Sequence, residues 1–297
     1  MRTGVIFGTV VGGLALLGSA GCAAPVRLRD AAAIAPAPGH AKTSRRKAAG
    51  PKAATAQQDL TAAVAPLASE DGGHVAVAVD DLTTGARAAY GGTDNTFVTA
   101  SIVKVDILAT LLYEAQQAGQ SLTEDEQELA TTMIENSDND AASDLYDDAG
   151  GATAIDDANR AFGLTGTTVG TDGYWGLTTT TVDDQIALLR LVFSPSVLSP
   201  ASRDYISGLM SQVEADQRWG VPAAADAGTA YEVKNGWLPN PTLWEINSIG
   251  EITHDGQRML VAVLSDDNAS EDSGIATVQG VAEKATAAVA SAGPDRG

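Results

Sequence analysis

The chain is poor in the residues that build metal, redox and histidine-based sites. Its 297 residues include one cysteine and three histidines, and aromatic residues make up only 5% of the composition. A single cysteine excludes an intramolecular disulfide framework, and histidines at positions 40, 74 and 254 form no cluster with metal-ligand spacing. The sequence therefore predicts no metal site and no cofactor. It also argues against a Ser-His-Asp hydrolase, because no Gly-x-Ser-x-Gly elbow occurs.

Basic residues are also scarce. The chain has 18 Lys and Arg against 38 Asp and Glu, which gives a net charge of −20. This charge has the wrong sign for neutralising a phosphate backbone, so nucleic acid is excluded as a partner. Eight of the 18 basic residues lie before residue 53, against one acidic residue, Asp30. The remainder is acidic, as expected for well-solvated faces of a soluble globular domain.

The amino end has the features of an export signal. Arg2 precedes an apolar stretch over 5–17, which the small residues 18–21 and then Cys22 follow. The apolar stretch is too short and too rich in glycine for a membrane-spanning helix, which needs about 20 apolar residues. Residues 1–22 resemble a bacterial lipoprotein signal, in which Cys22 becomes lipidated, although Ser19 stands where that pattern prefers Leu. Lipidation of Cys22 and simple cleavage followed by secretion both remain open.

Beyond the signal, the sequence predicts a tether and one folded domain. Residues 23–55 are rich in Ala, Pro, Lys and Arg and lack apolar periodicity, whereas 56–291 alternates between helical and strand patterns. Strand patterns lie at both ends of the domain, and 163–179 is aperiodic. This order predicts an α+β fold in which N- and C-terminal strands form one antiparallel sheet, covered by helices, with a mainly helical middle region. The predicted strands cover 74–80, 87–90, 230–237, 244–253 and 258–265, and the helices cover 56–70, 101–118, 123–135, 140–149, 152–162, 181–193, 199–212 and 273–291.

A serine and a lysine begin one of the predicted helices. Ser101 and Lys104 are three residues apart and share a helix face, and the unpaired N–H groups at the helix start create a positive potential around Ser101. A neutral lysine amine there could accept the proton of the hydroxyl. The same spacing recurs at Ser44 and Lys47 in the tether, so spacing alone identifies no site.

Two further motifs make the pattern specific. Ser137-Asp138-Asn139 follows a predicted helix, and Lys234-Asn235-Gly236 lies in a predicted strand. With Ser101-Ile102-Val103-Lys104, they resemble the Ser-x-x-Lys, Ser-Asp-Asn and Lys-Thr-Gly signatures of class A β-lactamases and related penicillin-binding proteins. The resemblance spans 56–291 and implies a class A β-lactamase-like (DD-peptidase-like) fold. Taken singly, Ser137 could instead cap a helix and Lys234 could be an exposed strand charge.

The resemblance assigns a role to each matching residue. It makes Ser101 the nucleophile, Lys104 its proton acceptor, and Ser137 the proton carrier to the leaving nitrogen. Lys234 would hold Ser137 and the substrate carboxylate. The substrate-binding residues would be Asn139, Asn235, Gly236 and Trp237, with the backbone N–H groups of Ser101 and Trp237 forming an oxyanion hole.

The chain also departs from that family pattern. Asn235 replaces the usual Thr or Ser, which leaves the choice of substrate open. The stretch between Lys104 and Ser137 is short, so we expect a trimmed, more open cleft. Residues 163–179 contain no Glu-x-x-Leu-Asn, the motif whose glutamate activates water in class A enzymes. Asp172 is the one carboxylate in that segment.

Three functions follow as hypotheses. The first is an exported serine hydrolase that opens a β-lactam or similar cyclic amide through an acyl-Ser101 intermediate, with slow deacylation. The second is a peptidase or transpeptidase acting on D-alanyl peptides of the cell wall. The third is a non-catalytic envelope lipoprotein that uses its cleft for binding. We expect a monomer attached to a membrane through Cys22, or a secreted one.

Overall fold

The computed structural model describes residues 51–69, 73–92 and 95–292. The chain divides into two units, Met1–Lys47 and Ala48–Gly297, and all described residues belong to the second. The predicted signal, Cys22 and the tether up to residue 50 lie outside the described residues. The first helix begins at Pro51, inside the stretch predicted as tether.

Eight helices and seven strands form the described domain. The helices are α1 Pro51–Val64, α2 Val103–Gln117, α3 Glu124–Glu135, α4 Asn139–Asp148, α5 Gly151–Phe162, α6 Val182–Phe193, α7 Pro200–Met210 and α8 Glu271–Ser291. The strands are β1 His74–Asp81, β2 Arg87–Tyr90, β3 Phe97–Val98, β4 Thr179–Thr180, β5 Glu232–Asn240, β6 Leu243–His254 and β7 Gln257–Asn268. No helix in these ranges combines the length and apolarity needed to span a bilayer.

Strands from the two ends of the domain share one antiparallel sheet. Its order is β2-β1-β7-β6-β5, so β1 lies against β7 although most of the domain separates them in sequence. The hairpin between β6 and β7 turns at Asp255 and Gly256. Their φ values of 51° and 69° are left-handed, as the two central residues of a type I′ turn require. The α+β prediction of one sheet built from N- and C-terminal strands is confirmed.

Each face of the sheet is covered by helices. Val75, Val77 and Val79 face the core formed with α1 and α8, whereas Ala76 and Ala78 face the core formed with the helical middle region. Because both faces are buried, β1 is apolar at every position from Val75 to Val79 rather than alternating with polar residues. The short turn that precedes α2, Ala100–Ile102, lies against β5 and β6.

The aperiodic segment 163–179 is an ordered loop. Thr168 and Thr179 exchange backbone hydrogen bonds of 2.8 and 3.0 Å, and the Tyr146 hydroxyl on α4 donates to the Gly170 carbonyl at 2.9 Å. The loop continues into β4, which pairs with β3 in a short second sheet that periodicity did not predict. The Thr99 N–H donates to the Thr178 carbonyl at 2.8 Å, which fixes the loop beside Ser101.

Candidate active site

Ser101 lies in a tight turn just before α2. The turn is a single 3-10 segment, Ala100–Ile102, and Ala100 has a left-handed φ of 46°. A buried side chain from β6 holds this turn, since the Asn247 amide donates to the carbonyls of Val98 at 2.9 Å and Thr99 at 3.1 Å. Strained backbone of this kind persists where the surroundings fix it, which is common at functional sites.

The outer strand β5 presses against the same turn at Gly236. A Cβ atom at Gly236 would lie 2.5 Å from the Thr99 carbonyl oxygen, 2.8 Å from the Ser101 nitrogen and 2.9 Å from the Ile102 nitrogen. All three are backbone atoms, so a side chain at this position would separate β5 from the turn that holds Ser101. Only glycine permits this approach.

Lys104 points from the first turn of α2 into a polar cluster. Its amine donates to the Ser137 carbonyl at 2.6 Å, to the Asn139 Oδ1 at 2.8 Å and to the Ser137 hydroxyl at 3.2 Å. Burial lowers the pKa of Lys104 to about 7, with Asp138 acting weakly in the opposite direction. Lys104 therefore has a neutral amine in a substantial fraction of molecules at neutral pH.

A second buried lysine reaches the same hydroxyl from the sheet. The Lys234 amine donates to the Ser137 hydroxyl at 2.9 Å and to the Asn235 carbonyl at 3.1 Å. Burial, and then the neighbouring charge of Lys104, hold the pKa of Lys234 well below its usual value. Lys234 is fully buried, so the alternative of an exposed strand charge is wrong.

The Ser-Asp-Asn motif forms the bend that begins α4. Asp138 is the capping residue, and its side chain accepts from the Ala141 N–H at 2.8 Å. Ser137 precedes the cap with a left-handed φ of 57°, so the alternative role of Ser137 as the helix cap is wrong. Asn139 is exposed, with its Oδ1 turned to Lys104.

Asn235 does not face this cluster. Residues alternate along a strand, so Lys234 and Gly236 share one face of β5 and Asn235 lies on the other. Its side chain is fully buried, and its amide donates to the carbonyls of Gln217 at 2.7 Å and Trp219 at 3.0 Å. This is at odds with the expectation that the Asn235 side chain contacts substrate. The half-buried Trp237 packs edge-to-face on Trp219, with 6.0 Å between ring centroids.

The loop 163–179 places an aromatic ring over Lys104. The Lys104 amine lies 5.0 Å from the centroid of Trp175, whose Nε1 donates to the Ser143 hydroxyl on α4 at 3.1 Å. Asp172 is exposed in a turn of the same loop. Thus a ring, rather than a carboxylate, approaches the amine from the loop.

The fold brings five of the residues singled out by their motifs into one connected site around the point where Gly236 meets the Ser101 turn: Ser101, Lys104, Ser137, Asn139 and Lys234. Sequence reasoning missed Trp175 and Asn247. The only signal for Asn247 is a polar residue within an apolar strand pattern, and Trp175 lies in a segment without periodicity.

Solved structures share this architecture. A class A β-lactamase from Bacteroides cellulosilyticus superposes with a TM-score of 0.70 at 16% identity, over 80% of this chain and 99% of that one. A point mutant of PBP-A, in an acyl-enzyme complex with penicillin G, gives 0.68 at 21% identity, over 80% and 97%. The fold is therefore that of class A β-lactamases and PBP-A.

The sequence comparison supplies the family. The model of the beta-lactamase enzyme family matches residues 57–127 and 125–289, so the chain belongs to that family. Among curated proteins, "Putative lipoprotein LppW" of Mycobacterium tuberculosis and of Mycobacterium bovis is 27% identical over 174 residues. That match covers 56% of this chain and 55% of each relative, so the chain spans about half the length of the curated relatives it matches.

Proposed function

We propose that this protein is a serine hydrolase that forms an acyl-enzyme at Ser101 with a β-lactam or similar cyclic amide and releases the acyl group slowly. The observation that carries the proposal is the convergence of two buried lysine amines on the Ser137 hydroxyl, beside the turn that holds Ser101. Binding alone gives no reason to bury two amines together, because each lowers the stability of the other's charged form.

The acylation step uses these groups in sequence. Neutral Lys104 accepts the proton of Ser101, whose oxygen bonds to the carbonyl carbon, and the amide C–N bond then breaks. The Ser137 oxygen accepts from both lysine amines, so its own O–H remains free to protonate the leaving nitrogen. A proton from the lysines replaces the one that Ser137 gives up.

Backbone groups would stabilise the negative oxygen of the intermediate. Lys234 donates to the Asn235 carbonyl, and backbone groups two residues apart on a strand point to the same side. Trp237 therefore presents its N–H on the side where Lys234 lies, and Gly236 brings β5 against the Ser101 nitrogen. We propose these two N–H groups as the oxyanion hole.

Slow release follows from the loop 163–179. Hydrolysis of the acyl-enzyme needs a base that activates water. The loop places the Trp175 ring, which is not a base, beside Lys104. Losing a positioned general base costs roughly 10²–10⁴-fold in rate. The neighbouring fold of PBP-A, solved as an acyl-enzyme with penicillin G, is compatible with such a species.

Mass spectrometry of the chain after mixing with penicillin tests this proposal. We expect one adduct on Ser101, none in Ser101→Ala, and an unchanged adduct in Ser44→Ala, the matched control with the same Ser-x-x-Lys spacing in the tether. A Ser101→Ala protein that is labelled fully would place the nucleophile elsewhere. A folded wild-type protein without any adduct would favour the third hypothesis, a cleft used only for binding.

A D-alanyl peptidase or transpeptidase is the second candidate. It is favoured by the same ring at Trp175. A loop that brings a ring rather than a carboxylate to Lys104 supplies no base for water, so an amine acceptor can compete for the acyl group. Release of D-alanine from a cell-wall peptide, without steady turnover of a β-lactam, would establish this function over the first.

We propose further that the chain is an exported lipoprotein, anchored through Cys22 and acting as a monomer. The support is the signal-like pattern ending at Cys22, the name of the mycobacterial relatives, and a site built from one chain. The mass of the membrane-extracted protein should include a lipid on Cys22, and Cys22→Ser should release the protein into the soluble fraction.

A further inference from the structure

Three neighbouring strands bring four ionisable side chains together at one end of the sheet. His74 on β1 pairs directly with Asp266 on β7, and Asp267 follows. On β6, the register shifts between Trp244 and Ile246, which leaves Glu245 opposite the two aspartates. We call His74, Glu245, Asp266 and Asp267 the strand-end cluster. The cluster contains none of the motif residues around Ser101.

The backbone turns both aspartates towards the histidine. Successive residues of a strand normally point to opposite faces, but Asp267 has a left-handed φ of 55°. As a result, the His74 Nδ1 lies 2.8 Å from the Asp266 Oδ1 and 3.8 Å from the Asp267 Oδ2. The Asp266 Oδ1 also accepts from the His74 backbone N–H at 3.3 Å.

Glu245 adds a buried negative group behind the aspartates. It is 4% exposed, and its Oε1 accepts from the Asn240 amide at 2.9 Å. Its Oε2 has no hydrogen-bond partner among the described residues. Burial raises the pKa of Glu245, and the charges of Asp266 and Asp267 raise it further. The three carboxylates are therefore close enough to repel one another. A cation would relieve this repulsion.

We propose that the strand-end cluster binds a divalent transition-metal ion of the Zn²⁺ type through the His74 Nδ1, the Asp266 Oδ1 and the Asp267 Oδ2. These atoms all lie within 4.8 Å of one another. Ligand atoms about 2.1 Å from a tetrahedral Zn²⁺ are separated by about 3.4 Å, a value between the two distances from His74. Glu245 supplies outer negative charge, and a water molecule completes the coordination.

The imidazole selects the class of metal. Ca²⁺ and Mg²⁺ prefer oxygen ligands alone, whereas Zn²⁺ accepts a nitrogen together with carboxylates. Without a metal, His74 and Asp266 form an ordinary ion pair, and their hydrogen bond raises the pKa of His74. The test must therefore separate a metal site from this surface ion pair.

Calorimetric titration of Zn²⁺ into tag-free, metal-stripped full-length protein provides the test. We expect one ion per chain, with affinity reduced at least about tenfold in both His74→Ala and Asp267→Asn, since even outer partners of metal ligands contribute that much. Asp267→Asn keeps the backbone, because asparagine also adopts left-handed φ readily. His254→Ala is the matched control, since His254 contacts the Ala224 carbonyl instead. It should bind Zn²⁺ like the wild type.

Thermal unfolding of each protein without metal establishes that the variants remain folded. Zn²⁺ should raise the melting temperature of the wild type and of His254→Ala equally, and should raise that of both cluster variants less at the same concentration. The proposal is overturned if the wild type binds no Zn²⁺ at micromolar concentrations, or if the cluster variants bind it as the wild type does. Preferential binding of Ca²⁺ that does not depend on His74 would also overturn it.

Discussion

The residues around Lys104 determine the pKa of its amine. The side chain is fully buried, and its three acceptors come from Ser137 and Asn139, which belong to a different part of the chain. An exposed lysine with a pKa near 10.4 would be charged at neutral pH and unable to accept a proton. The lowered pKa of about 7 makes the same side chain a base.

The acylation rate should follow this titration. Below pH 7 the Lys104 amine carries a proton and cannot accept another, so we expect the second-order rate constant for penicillin to rise through pH 6–8, with a midpoint near 7. Lys104→Arg keeps the charge but cannot lose its proton, and should be inactive over the whole range. Stopped-flow measurements check this. A flat pH profile would contradict Lys104 as the base.

Asp106, two residues further along α2, is a buried carboxyl group that does not contact Ser137. The Asn159 amide donates to it at 3.0 Å, and burial raises its pKa to about 7, with Asp156 and Asp184 adding to the shift. In the unfolded chain its pKa is near 3.9, so the folded state retains a proton between about pH 4 and 7. The contribution of Asp106 to the free energy of unfolding therefore falls as pH rises from about 4 to 7. Above pH 7 the folded state bears the full cost of burying the ionised carboxylate.

Asp106→Asn should remove that penalty. We expect a gain of about 2–4 kcal/mol in the free energy of unfolding at pH 8 and almost none at pH 4, because each pKa unit corresponds to about 1.4 kcal/mol. Asp144→Asn, an exposed aspartate on α4, is the control and should change little at either pH. Urea titrations at the two pH values measure both variants. Equal effects at pH 4 and 8 would show that folding does not raise the pKa of Asp106.

At the scale of elements, the proposed slow release of the acyl group is tested at the loop 163–179. With a chromogenic cephalosporin we expect a rapid burst followed by slow turnover in the wild type. Trp175→Glu would put a carboxylate near Lys104 and should raise steady turnover on the order of 10²-fold, whereas Trp175→Gln, similar in shape but not a base, should not. Asp172→Asn should leave turnover unchanged. Fast turnover in the wild type that collapses in Asp172→Asn would make Asp172 the base.

The contact between β5 and the Ser101 turn can be tested with a single methyl group. Gly236→Ala would place its Cβ 2.5 Å from the Thr99 carbonyl oxygen, so the strand must move and acylation should slow at least about tenfold. Gly208→Ala, on the exposed side of α7, meets nothing within 4 Å and should add about 0.5–1 kcal/mol of stability. Labelling rates and thermal unfolding of both variants distinguish a local effect from general damage.

Periodicity and motifs predicted the elements better than the contacts between them. The strand pattern placed β5, β6 and β7 to within a few residues, because alternation and turn pairs are local. It also implied that Asn235 faces away from Lys234, an implication that the family resemblance overrode. The roles of Asn247 and Trp175 depend on tertiary packing. The pairing of His74 with Asp266, 192 positions away, depends on sheet register, which no local pattern specifies.

At the scale of the whole molecule, the dominant feature is negative charge. A net charge of −20 makes the folded surface repel itself, and added salt screens that repulsion over about 10 Å at 0.1 M. We expect the melting temperature at pH 7 to rise between 10 mM and 0.5 M NaCl. Near the sequence pI of about 4.3 the same salt should have little effect. A melting temperature that falls with salt at pH 7 would show that local ion pairs outweigh the overall repulsion.

If Ser101 is acylated as proposed, the attachment of its turn to Asn247 also determines when a growing chain can react. The Asn247 amide binds the Val98 carbonyl across 149 positions of sequence, so a growing chain carries Ser101 and Lys104 long before the residue that holds their turn. At roughly 5–20 residues per second, about 7–30 s of synthesis separates the two. For most of that interval Lys234 is also missing, so the Ser137 hydroxyl lacks its second lysine partner. A β-lactam present during synthesis should therefore label only completed chains. The extent of labelling then measures the fraction of chains that have folded.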